Sequence, residues 1–190
     1  LNTKARYSGG KAYFLFIGSL HPRKNICGLL RAYDAFRTSV NTDVKLLIVG
    51  ESMFKTAEIE LAYEGMRYKD DVVFTGRLGN EELHQVLGAA LALTFVPFFE
   101  GFGIPIIEAM NAGVPVICSN TTSLPEVGGH AVLYVDPFSL SQIKEAMIKI
   151  YQEKELRDML IEKGFEKKDK FSWDKTAELL WGSIQICVNT

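Results

Sequence analysis

Glu100 and Glu108 stand eight residues apart and bracket Gly101-Phe102-Gly103-Ile104-Pro105, a glycine turn that enters a helix directly after an apolar strand, Leu91 to Val96. Carboxylates accept hydrogen bonds from hydroxyl groups, and glycines let a backbone approach a ligand closely. Pro105 fits the first helical turn, where its missing N–H costs nothing. The free amides of such a helix start, backed by the positive end of the helix dipole, suit a phosphate. Glu108, one turn further in, leans its side chain back towards the same end. Two carboxylates repel a bare phosphate, so the ligand that fits also carries hydroxyl donors, as a sugar nucleotide does.

A second charged turn, Gly18-Ser19-Leu20-His21-Pro22-Arg23-Lys24-Asn25, follows the first strand. Open parallel sheets bind ligands beyond the carboxyl ends of their strands, so this turn and the Glu100 loop should face one crevice. Arg23 can fork onto two phosphate oxygens and Lys24 adds a point charge. As plain surface cations at a helix start they would oppose the helix dipole. The dinucleotide fingerprint is absent, because the first turn has one glycine and Gly101-Phe102-Gly103 continues without a third. His21, His84 and His130 share no metal-ligand spacing, so no metal is expected. Ser119, Thr121, Thr122 and Ser123 form a polar loop and not a nucleophile elbow, since G-x-S-x-G is missing.

Positioning these groups requires strands alternating with helices, and the chain has that rhythm. Strands are expected at Tyr13–Ile17, Val44–Val49, Val72–Thr75, Leu91–Val96, Val114–Cys118 and Ala131–Val135. Helices are expected around Ile26 to Phe36 with Asn25 as cap, from Ala57 to Tyr68, and from Asn80 to Leu87 with Asn80 as cap. Gly113 stops the helix that holds Glu108. Leu124 to Gly129 reads as a loop, with Glu126 capping or bridging in it. Beyond Asp136-Pro137 the chain turns helical, with Leu140, Ile143, Met147 and Ile150 on one face, and Lys163 to Lys170 reads as a solvated helix surface. Ser172 can cap a last helix that carries Trp173, Leu180, Trp181 and Ile184.

The chain of 190 residues is long enough for one well-buried domain. Its 23 acidic and 21 basic residues nearly cancel and form no basic stripe, which argues against nucleic acid. No apolar run reaches membrane-spanning length. Cys27, Cys118 and Cys187 are scattered thiols that suit a reducing compartment and core positions. The chain opens at Leu1 without methionine, and a fragment of a longer polypeptide is expected.

From about Tyr13 to Trp181 the sequence resembles the carboxyl-terminal, donor-binding half of the retaining glycosyltransferases of family 4, which have the two-domain GT-B fold. Glu100 to Glu108 resembles that family's E-x7-E signature, and Ala109 to Ile117 its continuation. Leu124-Pro125-Glu126-Val127-Gly128-Gly129, Asp136-Pro137 and Phe171-Ser172-Trp173 resemble further landmarks, in order. The resemblance implies a Rossmann-like α/β domain over 13–172, preceded by a linker or fragment start over 1–12. It also implies a final helix, 173–190, that packs towards a missing amino-terminal, acceptor-binding domain. By the same resemblance Glu100 is the catalytic residue, holding hydroxyls of the donor sugar near the reacting carbon, and Glu108 binds the ribose. The amides of Phe102, Gly103 and Ile104 take the distal phosphate beside Gly101, with Gly18, Arg23 and Lys24 on the diphosphate. Arg77 and Leu78 border the nucleobase. Many members carry arginine directly after the first-turn glycine where this chain has Ser19; Arg23 with Lys24 resembles the spelling in which the cation comes later.

The implied activity is transfer of a glycosyl group from a nucleotide diphosphate sugar to a hydroxyl acceptor in polysaccharide or glycoconjugate synthesis, with retention and without a cofactor. Any membrane contact would run through the missing domain, and the expected location is cytoplasmic or peripheral at the inner membrane surface. A non-catalytic nucleotide-sugar-binding module is the competing reading, although Glu100 is superfluous to a plain nucleotide binder. A hexosamine-nucleotide epimerase shares the architecture, but the E-x7-E spelling favours transfer. Nucleobase, sugar and acceptor are not spelled by these residues.

Overall fold

The computed structural model describes residues 3–51 and 57–188; the outermost residues of the expected lead-in and of the last helix, 1–2 and 189–190, lie outside the described residues. Six parallel strands form one sheet: β1 (Tyr13–Ile17), β2 (Lys45–Val49), β3 (Val72–Gly76), β4 (Ala92–Phe95), β5 (Val116–Ser119) and β6 (Leu133–Val135), in the order β3-β2-β1-β4-β5-β6. The order reverses between β1 and β4, which pair through Phe14 with Ala92 and Leu15 with Leu93. A crevice opens beyond the carboxyl ends of the strands at such a switch point. This is the α/β architecture expected for one half of a GT-B fold.

The four inner strands, β2, β1, β4 and β5, are buried along nearly their whole length and read as continuous apolar runs because helices cover both faces, whereas the edge strands β3 and β6 are only partly buried. On one side α2 (Ile26–Ser39) packs between α3 (Ala57–Glu64) and α7 (Leu140–Gln152). Phe14 meets Phe36 of α2 edge-on at 5.4 Å, and Phe36 meets Tyr151 of α7 at 6.0 Å. Tyr13, pointing the other way, donates its hydroxyl to the Val86 carbonyl of α4 (Asn80–Gly88) at 2.6 Å. α5 (Ile104–Asn111) packs against α8 (Lys154–Lys168), where Gly164 lets Met110 approach.

Departures from the sequence expectations have local causes. The segment 3–8, read as lead-in, forms a helix, α1 (Thr3–Ser8), tied to α4 by an Arg6–Glu82 ion pair at 2.5 Å and the Tyr7 hydroxyl on Glu82. The helix expected to reach Tyr68 ends at Glu64, where Gly65 follows, and a 3₁₀ turn over Lys69–Asp71 leads into β3. β5 starts after Pro115, whose ring nitrogen has no proton for the ladder although its carbonyl accepts from Leu93 at 2.9 Å. Leu124–Gly128, expected as a loop, is a helix, α6, with Pro125 in its first turn. Asn80 is the first residue of α4 rather than its cap, a place Gly79 takes.

Asn25 holds the N-cap position of α2, as expected, and its carbonyl accepts from the Leu29 amide at 3.0 Å, but its side chain makes no capping bond. It sits in the left-handed region at φ +58 and turns its amide inwards, donating to the carbonyls of Val96 (3.0 Å) and Pro137 (2.8 Å). The same residue therefore ties three turns at the crevice edge. Of the thiols, Cys118 is buried but Cys187 is exposed on α9 (Trp173–Val188), so a core role fails there. Ser172 does cap α9, accepting from the Lys175 amide at 3.1 Å. No residue of α9 is buried, and Trp173 and Trp181 are 80% and 61% exposed.

Candidate functional site

The turns after β1 and β4 meet at the switch point. Gly18 closes β1 with its amide on the Val49 carbonyl at 2.9 Å, and there the chain passes so near Gly50 that a Cβ on Gly50 would lie 1.9 Å from the Gly18 carbonyl oxygen. Pro22–Lys24 then forms a 3₁₀ turn capped by His21, whose Nδ1 accepts from the Arg23 amide at 3.1 Å. The Arg23 carbonyl accepts from the Phe98 amide at 2.8 Å, and its guanidinium donates to the Phe99 carbonyl at 3.1 Å. The two turns are thus stitched together through backbone and side chain.

Between them lies a three-residue charge cluster. Glu100 accepts from Lys24 Nζ and, at 3.2 Å, from Arg23. Lys24 is 7% exposed and lies 4.9 Å from the Phe95 ring centroid, a cation on an aromatic face. Partial burial pushes the Glu100 carboxyl up, but the hydrogen bond and charge of Lys24, with the charge of Arg23, outweigh it and hold the group below its ordinary value. Glu100 is therefore ionised at neutral pH. The sequence reading assigned Glu100 and the cations to separate parts of a ligand; here they neutralise one another.

Gly103 precedes α5 with φ +109, and a Cβ there would stand 2.8 Å from Leu124 Cδ2. Glycine is required on both counts. Gly101 has no such demand, since nothing lies within 4 Å of its Cβ direction. The amides of Phe102, Gly103 and Ile104 have no acceptor among the described residues. Glu108 is half-buried, one turn along, and its carboxylate has no hydrogen bond or ion pair among the described residues. These groups can accept an anion at the α5 entrance and hydroxyls on either side of it. Phe99, Phe102 and Ile104 leave an exposed apolar rim.

Arg77 and Leu78 follow β3, two strands from β1 and so roughly 10 Å across the sheet. Arg77 is exposed and Leu78 half-buried. They stand apart from the charge cluster. A groove of about 730 Å³ lies elsewhere, between α2 and α3, lined by Arg31, Asp34, Leu61 and Lys144 among others, and contains none of these residues. Charge convergence, not hollow size, marks the site. Among the described residues no three His, Cys, Asp or Glu side chains lie together as a metal set.

Hydroxyl side chains, not evident as site residues from the sequence, hold the Glu100 loop. Ser119 donates to the Pro97 carbonyl at 2.7 Å, and Thr121 to that of Phe98 at 3.4 Å. Thr122 and Ser123 grip Glu100 itself. The signal was a run of hydroxyl residues directly after a strand neighbouring the functional loop.

A family model described as Glycosyl transferases group 1 matches residues 3–167. O-antigen chain mannosyltransferase B of Escherichia coli is 36% identical over 165 residues, covering 86% of this chain and 43% of that protein. Serotype-specific mannosyltransferase WbdA of Escherichia coli is 29% identical over 178 residues, 93% of this chain and 22% of that one. Among solved structures, sucrose-phosphate synthase from Thermosynechococcus elongatus superposes with a TM-score of 0.81 at 25% identity, covering 100% of this chain and 49% of that chain. The chain spans less than half the length of each of these proteins. With residues 3–167 matched by the family model and its fold shared along the whole length, the chain belongs to the group 1 glycosyl transferases.

Proposed function

We propose that this domain binds the nucleotide diphosphate sugar donor of a retaining, family 4 glycosyltransferase, and that the sugar is mannose. The observation that carries the reading is the convergence of Arg23, Lys24 and Glu100 beside three unpartnered amides at the entrance to α5. Two mannosyltransferases among the relatives, one of them named for the O-antigen chain, support the sugar and a role in polysaccharide synthesis.

In this reading Arg23 and Lys24 receive the diphosphate, with Gly18 and Gly101 leaving room for it, and the amides of Phe102, Gly103 and Ile104 take the phosphate next to the sugar. Glu100 accepts hydroxyls of the sugar, Glu108 those of the ribose, and Arg77 with Leu78 borders the base. The bond from the anomeric carbon to the diphosphate oxygen breaks, the acceptor hydroxyl oxygen bonds to that carbon on the same face, and the hydroxyl proton leaves with the diphosphate. Negative charge gathers on the departing diphosphate, and fixed amides and cations stabilise it without reorganising and without a metal.

The acceptor site belongs to an amino-terminal domain outside this chain. The exposed apolar side chains of α9, Trp173, Leu180, Trp181 and Ile184, support a face that packs towards it. Alone, the domain binds donor weakly and transfers negligibly. The protein works in the cytoplasm, at the inner membrane surface through that other domain; no helix among the described residues is long and apolar enough to cross a membrane.

Calorimetric titration with GDP-, UDP- and ADP-linked sugars tests the reading. Saturable binding of one nucleotide's mannose derivative is the expected result, and no binding by any member of the panel would overturn it.

A further inference from the structure

Thr122 has φ +57, a left-handed conformation in which a β-branched residue is strained. Its Oγ1 accepts from the Glu100 amide at 3.3 Å. The adjacent Ser123 hydroxyl is shared between the carbonyls of Glu100 (2.8 Å) and Phe102 (3.1 Å). Both backbone polar groups of Glu100 are therefore held by two consecutive side chains from the β5–α6 turn. Among the described residues, the loop 97–103 makes few backbone–backbone bonds of its own, Phe98 to Arg23 and Ile106 to Gly103. Hydroxyls supply what the backbone does not.

We propose that Thr122 and Ser123 are positioning residues for the transfer reaction: they fix the peptide units around Glu100 so that its carboxylate stands over Lys24 and Arg23 while the Phe102–Ile104 amides point at one phosphate. The left-handed turn at Thr122 persists because it aims that hydroxyl at the Glu100 amide. A relaxed, right-handed backbone at residue 122 would turn the side chain away. This inference rests on the donor-binding reading.

Three variants test it. Thr122→Gly relieves the strain and removes the hydroxyl; Thr122→Asn tolerates the same conformation and offers an amide oxygen to the Glu100 N–H; Ser123→Ala frees the two carbonyls. The readouts are melting temperature, binding of GDP-mannose, and the pH titration of the ¹³C-labelled Glu100 carboxyl. Thr122→Gly should melt within a few degrees of the parent and bind GDP-mannose about tenfold more weakly. Its Glu100 carboxyl should titrate closer to the ordinary glutamate value. Thr122→Asn should restore both, and Ser123→Ala should resemble Thr122→Gly. Unchanged binding with an unmoved Glu100 titration in Thr122→Gly overturns the proposal, as does a loss that Thr122→Asn fails to rescue. If the parent binds no nucleotide sugar of the panel but the Glu100 titration moves and is rescued, the donor reading falls and the positioning of the carboxylate stands.

Discussion

Replacing Glu100 by glutamine keeps shape and a hydrogen-bond acceptor but removes the negative charge that neutralises Lys24 and Arg23. Two opposed effects follow. At the 3.2 Å Arg23–Glu100 separation an unscreened pair would interact by about 5 kcal/mol at an effective dielectric constant near 20. The Arg23 side chain is 41% exposed, so the usable part is nearer ~1 kcal/mol. That much is released to an incoming diphosphate, which should bind Glu100→Gln about fivefold more tightly. The intact donor gains the same term but loses a charge-assisted bond from its sugar hydroxyl, worth ~1.5–3 kcal/mol. Because the first term is common to both ligands, the ratio of their dissociation constants isolates the second.

That ratio should shift against the intact donor by roughly 10- to 150-fold. Calorimetry of GDP-mannose and GDP on the parent and the variant measures it. Equal changes for both ligands would refute the assignment of Glu100 to the sugar and favour a module that reads only the nucleotide. The variant also leaves Lys24, 7% exposed, without a counter-charge, although its place on the Phe95 ring remains. A stability loss of ~1–3 kcal/mol is expected and can be corrected for.

Acid should expose the same pair. The Glu100 carboxyl is held below its ordinary value of 4.5, so its contribution is full above about pH 5 and disappears as pH falls through its lower folded-state value. Urea midpoints of parent and Glu100→Gln should therefore differ by a constant amount at neutral pH and converge below pH 4.5; divergence on acidification would reverse the sign of the argument. Gly103→Ala, at φ +109 with Leu124 in the way, should lower stability by ~1–3 kcal/mol and abolish nucleotide binding. Gly101→Ala should stay within ~0.5 kcal/mol of the parent, and the reverse order in a thermal melt would discredit the geometry of the turn. Asn25→Ala loses two buried hydrogen bonds and forces alanine into a left-handed conformation, an expected cost of ~2–4 kcal/mol by urea denaturation; a change under 1 kcal/mol would mean that the amide bridges are unimportant.

Period and punctuation made most of this legible in the sequence. Continuous apolar runs ending in glycine gave the strands, and β1 falls on the expected residues, because a doubly covered parallel strand has no polar face to blur its limits. The Glu100 turn was readable because its glycines and proline can do little else. What escaped was everything decided by tertiary partners. Asn25 stands at the cap position of α2, yet its side chain is turned to donate to two carbonyls from distant turns instead of capping the helix. Leu124–Gly128 looks like a loop because proline and glycine crowd it, but proline is at home in a first helical turn. Glu100 and Lys24 are 76 residues apart, and no local pattern announces that they touch. Thr122 reads as an ordinary threonine until its backbone angle is known.

The donor site is one crevice at the β1–β4 switch point, and amide NMR of the ¹⁵N-labelled domain during addition of a nucleotide mannose tests that most directly. Saturable shifts should gather on Phe102, Gly103 and Ile104 and on the turn bearing Arg23 and Lys24, with weaker changes at Arg77 and Leu78. Shifts centred on the groove between α2 and α3, with the α5 entrance unmoved, would contradict it.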